Sequence, residues 1–342
     1  MNRSVLLFEA PYQMRVRWEE LGPPGPGQLL VRTLASGISA GTEMLLYRGE
    51  MPEGMALDAA IPSLQGSVRY PVAYGYSAVG EVEAAGPEVR GAWIGRRVFS
   101  FQPHASAFIA SEAELIPLPP EMDVLDAVML PDVETAVNLV QDARPRLGER
   151  VVVLGQGVIG LLCTALLARF PLESLIVLDR LEPRRLRGLE LGASASLDPG
   201  DPGVAERLRG LLHAGEGTGL ADCCLEITGD PGALQWAVDW TGFGGRIVVG
   251  SWYGLKQARI DLGAAFHRSR QEIVSSQVST IAPDLCGRWN KARRMGTVLR
   301  EVERIHPSSL VTHELRLEEA DRAFALLDAE PQRVLKTVLR CR

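Results

Sequence analysis

The run Val151-Val152-Val153-Leu154-Gly155-Gln156-Gly157-Val158-Ile159-Gly160, continued by LLCTALLARF to Phe170, decides the fold. An unbroken apolar segment ending at a glycine is what a parallel strand buried on both faces requires. The segment after it is apolar nearly all round and reads as a buried helix. Between them the glycines follow the G-x-G-x-x-G spacing. Gly155 permits the tight turn, Gly157 lets backbone approach a pyrophosphate, and Gly160 lets helix and strand pack closely. The N–H groups of Val158 and Ile159 then lie at the positive end of the helix, where an anion binds. SLIVLD forms the next strand and ends on Asp179, at the distance from the glycines where an acid takes ribose hydroxyls. Together these features separate the segment from a buried βα turn that merely carries glycines, and they predict a dinucleotide site.

Reading outward from that run, strands and helices alternate. RLRGLELGA is a helix ending at Gly192, and VAERLRGLLHA and ALQWAVDW are helices between the strands ASLD, ADCCLEI and GRIVVGS. EIVSSQVS reads as the last strand of the set. Such alternation gives a doubly wound parallel sheet of the Rossmann type. Ligands bind outside the carboxyl ends of such strands, so Thr228 and Gly229, and Gly250, Ser251 and Trp252 with Tyr253, are candidate coenzyme contacts. Trp252 and Tyr253 are equally suited to packing at a domain seam. Asp179 favours NAD, because its carboxylate repels a 2′-phosphate. Arg180, Arg184 and Arg185 can pair with that phosphate, so NADP stays open.

The first third differs in character. LLVRTLASG, AVGEVEAAG and RRVFSF read as strands separated by turns, and GPPGPGQ is a turn-rich loop. This part is a compact, largely β domain. The tail has helices over roughly Arg288 to Arg304 and Leu317 to Ala329, then the strand LKTVLRC.

At 342 residues, the chain suits about two domains. A hydrophobic content of 46% argues against wholesale disorder, and a net charge of −6 gives no electrostatic footing for nucleic acid. No apolar run approaches the roughly 20 residues that cross a bilayer. The opening MNRSVLLFEAPYQM lacks the core of a signal peptide, so the expected location is the cytoplasm. The five cysteines (Cys163, Cys223, Cys224, Cys286 and Cys341) form no C-x-x-C and leave the first 162 residues without a thiol. Neither a disulfide framework nor a cysteine-held structural zinc is expected.

The order of β-rich part, G-x-G-x-x-G fold and returning strand resembles the medium-chain dehydrogenase/reductase superfamily. The likeness lies in LASGISAGTEMLLYRG, PVAYGYSAVGEV, ETAVNLV, GERVVVLGQGVIG and the closing LKTVLR. SGISAGTE in particular is similar to threonine dehydrogenase-like proteins and bacteriochlorophyllide dehydrogenases. The resemblance implies a GroES-like substrate domain over residues 1–132 and 281–342 and a Rossmann domain over 133–280. It implies hydride transfer at the cleft, a small-molecule substrate and a homodimer. It places Thr135 at the nicotinamide, Lys336 at the pyrophosphate, and backbone groups of Val278, on the last strand, at the carboxamide. Zinc-dependent members resemble SGICG…D and GHE where this chain has Ser39, an added Ala40 and Gly75-Tyr76-Ser77, and Pro131 lies near another ligand position. The expectation is a zinc-independent branch, with Glu43, His104 and Glu134 as the alternative donors should zinc bind.

Without a metal, alcohol oxidation or ketone reduction needs positioned donors and a general acid or base. The candidates are Ser39, Thr42, Glu43, Tyr76, His104 and Glu134. Each has a structural reading beside the catalytic one. Ser39, Thr42 and Glu43 suit turn capping, Tyr76 suits packing, His104 suits a structural loop, and Glu134 suits the start of a helix. His267, Arg268 and Arg270 form a basic patch suited to an interface or to solvent. The leading reading is an NAD(H)-dependent alcohol/carbonyl oxidoreductase. Reduction of an enone or quinone, and a non-catalytic dinucleotide-binding protein, are the alternatives.

Overall fold

The computed structural model describes residues 1–58, 60–213 and 219–341. Among them the chain divides into two units, Met1–Pro131 with Arg300–Arg342, and Asp132–Leu299.

The first unit begins with the hairpin β1 (Asn2–Ala10) and β2 (Gln13–Glu20), then β3 (Gln28–Gly37) and the short helix α1 (Glu43–Arg48). Next come β4 (Val72–Ala73), β5 (Ala78–Ala85), β6 (Arg97–Ser100), β7 (Ala107–Ser111), β8 (Ile116–Pro117) and α2 (Val124–Val128). β3 is the hub. It pairs antiparallel with β5 along its length and with β7 over its first half. The predicted strands LLVRTLASG, AVGEVEAAG and RRVFSF are β3, β5 and β6. Their inward residues Leu29, Val31, Val82 and Val98 are buried together with Phe108 and Leu115.

In the second unit, α3 (Leu130–Ala143) leads into β9 (Arg150–Leu154), α4 (Val158–Leu167), β10 (Ser174–Leu178), α5 (Glu182–Glu190) and β11 (Ala195–Leu197). There follow α6 (Val204–Leu212), β12 (Ala221–Glu226), α7 (Pro231–Trp240), β13 (Thr241–Val249), β14 (Glu272–Ser275) and α8 (Lys291–Ile305). The predicted end of α6, Ala214, lies outside the described residues. The sheet order is β11-β10-β9-β12-β13-β14, with every pair parallel. This is the Rossmann strand order, and its connections reverse direction between β9 and β12. Val151, Val152 and Val153 are fully buried, and α4 is buried from Gly160 to Leu167. The opening run therefore forms the centre of the sheet and the helix lying on it.

The last strand is shorter than EIVSSQVS predicts. β14 stops at Ser275, and Val278 lies past its end. The second unit also extends to Leu299, whereas the reading of the sequence ends it at 280. The physical reason is Arg294, a fully buried side chain that donates to the carbonyls of Val278 and Thr280 and to Asn138 Oδ1 at 2.6 Å. These bonds tie the start of α8 to α3.

The first unit is completed by β15 (Val311–Arg316), α9 (Ala320–Ala329) and β16 (Lys336–Arg340). β16 pairs with β3 over Ala35 to Gly37, and Phe324 meets Phe8 edge-on at 5.3 Å between ring centres. Among the described residues no helix is long and apolar enough to cross a membrane.

Candidate active site

The candidate dinucleotide-binding residues of the second unit begin where β9 ends. Gly155 has φ +95, and a Cβ there would lie 2.8 Å from the carbonyl oxygen of Ile227. Only glycine takes that backbone conformation beside another strand end at no steric cost. A Cβ on Gly160 would lie 1.9 Å from Gly155 O, so this glycine is required for helix and turn to touch. Gly157 is different. It is the N-cap of α4 with no side-chain cap, and the nearest atom to its ideal Cβ is Arg184 Nη1 at 4.0 Å. Protein packing leaves that space open, and the first N–H groups of α4 adjoin it, as a pyrophosphate cradle requires.

Asp179 is buried just past β10. Its Oδ2 accepts from Gln156 N at 2.7 Å and its Oδ1 from Leu181 N at 2.8 Å. The acid is therefore clamped to the glycine turn, and each oxygen has a lone pair left for a ribose hydroxyl. Of the three arginines, Arg180 is exposed. Arg185 is committed to protein, donating to Asp179 O, Arg180 O and Asp198 Oδ2 at 2.8, 2.9 and 3.0 Å. Burial holds the Arg184 guanidinium below its ordinary pKa, opposed by the charge of Asp179.

The later strand ends carry further polar groups. Gly229 N donates to Ser251 Oγ at 2.8 Å, and Gly250 passes so close to α3 that a Cβ would lie 2.6 Å from Leu139. Trp252 is exposed. Glu226, which sequence reasoning missed, is fully buried at the end of β12 and accepts from Thr228 N at 2.8 Å and from Tyr253 Oη at 2.5 Å. Its signal was an acid that closes a strand directly after the apolar run Cys223 to Leu225.

Two second-unit candidates take structural partners. Glu134 is buried and receives Arg294 Nε at 3.0 Å and Nη2 at 2.8 Å. Its carboxylate is neutralised by a buried cation, a partner that neither a helix-dipole role nor a catalytic one supplies. The carbonyl of Val278 accepts from the same arginine. Thr135, half-buried, follows Glu134 on α3.

In the first unit the structure brings together Ser39, Glu43 and His104, and adds Ser36. Glu43 opens α1 rather than lying on a loop and is fully buried. Its N–H donates to Ser39 O at 2.8 Å, and its Oε1 accepts from Ser39 N at 2.8 Å. Its Oε2 lies 2.7 Å from His104 Nε2, and His104 Nδ1 lies 2.6 Å from Ser36 Oγ. Ser36 Oγ donates to Ser77 O at 2.8 Å. A hydroxyl has one proton to give, so Nδ1 of His104 carries a proton and donates to Ser36. One further proton is shared between Nε2 and Oε2. Gly75, at φ +119, makes room for the ring, since a Cβ would lie 2.9 Å from it.

Both His104 nitrogens and both Glu43 oxygens are already engaged, and Glu134 belongs to the other unit's ion pair. Among the described residues no three His, Cys, Asp or Glu side chains are grouped to hold a metal ion. The donor set does not fit zinc. Ser39, Thr42 and Tyr76 are half-buried. Thr42 is the N-cap of α1 without a side-chain cap bond, and Tyr76 stands edge-on to Tyr74 at 6.1 Å. Lys336 begins β16, its Cε close to where a Cβ on Gly37 would be, at 3.2 Å.

Residues 25–115 match the alcohol dehydrogenase GroES-like domain. With the Rossmann strand order already described, that match settles the architecture. The chain has an α/β fold, a GroES-like β-rich unit and a Rossmann-type parallel sheet. A solved structure of an NADH-complexed short chain alcohol dehydrogenase from E. coli CFT073 superimposes with a TM-score of 0.80 over 99% of both chains, at 18% identity. A 2-desacetyl-2-hydroxyethyl bacteriochlorophyllide A dehydrogenase from Cereibacter sphaeroides is 34% identical over 113 residues, 33% of this chain. The chain spans only 31% of that relative's length in the match. The zinc-type alcohol dehydrogenase-like protein YphC of Escherichia coli is 24% identical over 95% of this chain and 96% of its own.

Proposed function

We propose that this protein is an NAD(H)-dependent oxidoreductase that interconverts a secondary alcohol and a carbonyl compound by hydride transfer, without zinc. The observation that carries the reading is the open space over Gly157 at the head of α4, beside an acid clamped to the same turn. The residues fit a dinucleotide: α4 N–H groups for the pyrophosphate, Asp179 for the ribose, and the strand-end groups of Thr228, Gly229, Gly250 and Ser251 beyond it. The names of relatives, a dehydrogenase and an NADH-complexed alcohol dehydrogenase among them, support this reading.

A bound dinucleotide supplies or accepts the hydride at its nicotinamide. The chain's own part is to bind, orient and manage the proton. Asp179, held at the glycine turn, disfavours a 2′-phosphate, and Arg185 is spent on protein acceptors, which supports NAD over NADP. The hydroxyls of Ser39, Thr42 and Tyr76 serve the substrate oxygen as donors. Glu43 and His104 hold the Ser39 backbone from behind, through bonds inside the first unit. The hydrogen bonds that Glu43 and His104 make to each other, to Ser39 and to Ser36 support a metal-free reaction, against the zinc-type name of the full-length relative. The exposed edge of β14, with Ile273 37% accessible, supports a homodimer.

The test is a scan of secondary alcohols with NAD⁺ and of ketones with NADH, followed at the nicotinamide absorbance. Turnover in at least one series is expected. Turnover confined to enones or quinones with NADPH would overturn the assignment.

A further inference from the structure

Glu226 is the one fully buried carboxylate at the carboxyl end of β12, next to the point where the sheet reverses direction. It joins both strand-end loops. Its Oε1 accepts from Thr228 N at 2.8 Å and Thr228 Oγ1 at 2.5 Å, and its Oε2 accepts from Tyr253 Oη at 2.5 Å. Its main-chain carbonyl accepts from Gly250 N at 2.9 Å. Thr228 Oγ1 in turn receives Asp230 N at 2.9 Å, and Asp230 caps α7 through Gly232 N. The next carbonyl, of Ile227, is the atom that a side chain at Gly155 would strike at 2.8 Å. The Glu226 side chain thus ties the loop after β12 to the loop after β13, and the residue that follows it borders the glycine turn.

Burying a carboxylate is costly, and apolar packing holds strands together at lower cost. Here the charge is matched by three donors, one backbone N–H and two side-chain hydroxyls, from loop residues at the ligand-binding end of the sheet. Burial and the neighbouring carboxylate push the Tyr253 hydroxyl well above the ordinary range, so it remains a donor throughout the working pH.

We propose that Glu226 is a positioning residue for the coenzyme, fixing the Thr228–Asp230 and Ser251–Tyr253 loops in the conformation that receives the dinucleotide. This rests on the dinucleotide reading above. Glutamine at 226 presents N–H groups to some of the same donors and releases at least one loop, and phenylalanine at 253 removes one donor only.

The experiment is a fluorescence titration with NADH of wild type, E226Q and Y253F, paired with a thermal melt of each. The expected result is an NADH Kd raised about tenfold or more in E226Q and severalfold in Y253F, measured well below each melting point. A mainly structural glutamate would lower the melting point and leave Kd at the wild-type value, and that result overturns the proposal. Should E226Q fail to fold, Y253F decides: an unchanged Kd overturns the proposal and a weakened one supports it. Wild type that does not bind NADH overturns the dinucleotide reading and this proposal with it, an outcome visible before any variant is compared.

Discussion

A buried imidazole with a hydroxyl on one nitrogen and a carboxylate on the other has no unused polar atom. His104 is in that position, with Ser36 and Glu43 as partners and no exposed surface. Alanine at 104 leaves Glu43 buried with a vacated bond, so H104A is expected to lose about 3–5 kcal/mol of stability, read from urea unfolding. Asp142 gives the opposite sign. Burial, aided by Asp284 and opposed by the Ser276 hydroxyl, Arg294 and Arg144, raises its pKa above the ordinary 3.8. The folded protein therefore holds that proton to higher pH than the unfolded chain does. Stability is lost as pH rises from about 4 through the raised value and stays lost above it. D142N is expected to raise the urea midpoint at pH 8 and to leave it unchanged near pH 3.

At the scale of elements, the glycine turn separates packing from binding. G160A forces a methyl group into Gly155 O and is expected to destabilise the fold along with any coenzyme affinity. G157A places its methyl in open space, so the variant is expected to melt within a few degrees of wild type while its NADH Kd rises at least tenfold. A thermal melt and a titration on the same samples check both. These glycines were legible in the sequence because their partners are local: a strand before, a helix after, an acid one strand on. Glu226 and Arg294 were not. The bonds of Glu226 reach 27 residues to Tyr253, and those of Arg294 reach 160 residues to Glu134, distances at which spacing carries no signal. For the same reason neither reading of Glu134, catalytic or helix-start, included its arginine partner. Val278 falls on the expected strand because EIVSSQVS has no glycine or proline to mark an end, whereas pairing with β13 ends at Ser275.

At the scale of the molecule, the sequence order of β-rich part, Rossmann part and return is the order of the structure. The sheet class followed from apolar runs alone, whereas the limit of the second unit depended on a single buried arginine at Arg294. The segment Met1–Pro131 of the first unit has no cysteine, and its two segments similar to zinc motifs are joined by hydrogen bonds from Ser39 through Glu43 and His104 to Ser36 and Ser77. Hydride transfer without a metal is the central claim that this arrangement supports. The most direct measurement is the rate of NADH-driven ketone reduction after exhaustive chelation, with metal content determined on the same sample. The account predicts an undiminished rate in protein holding far less than one metal ion per chain. A rate abolished by chelation and restored by one equivalent of zinc would contradict it.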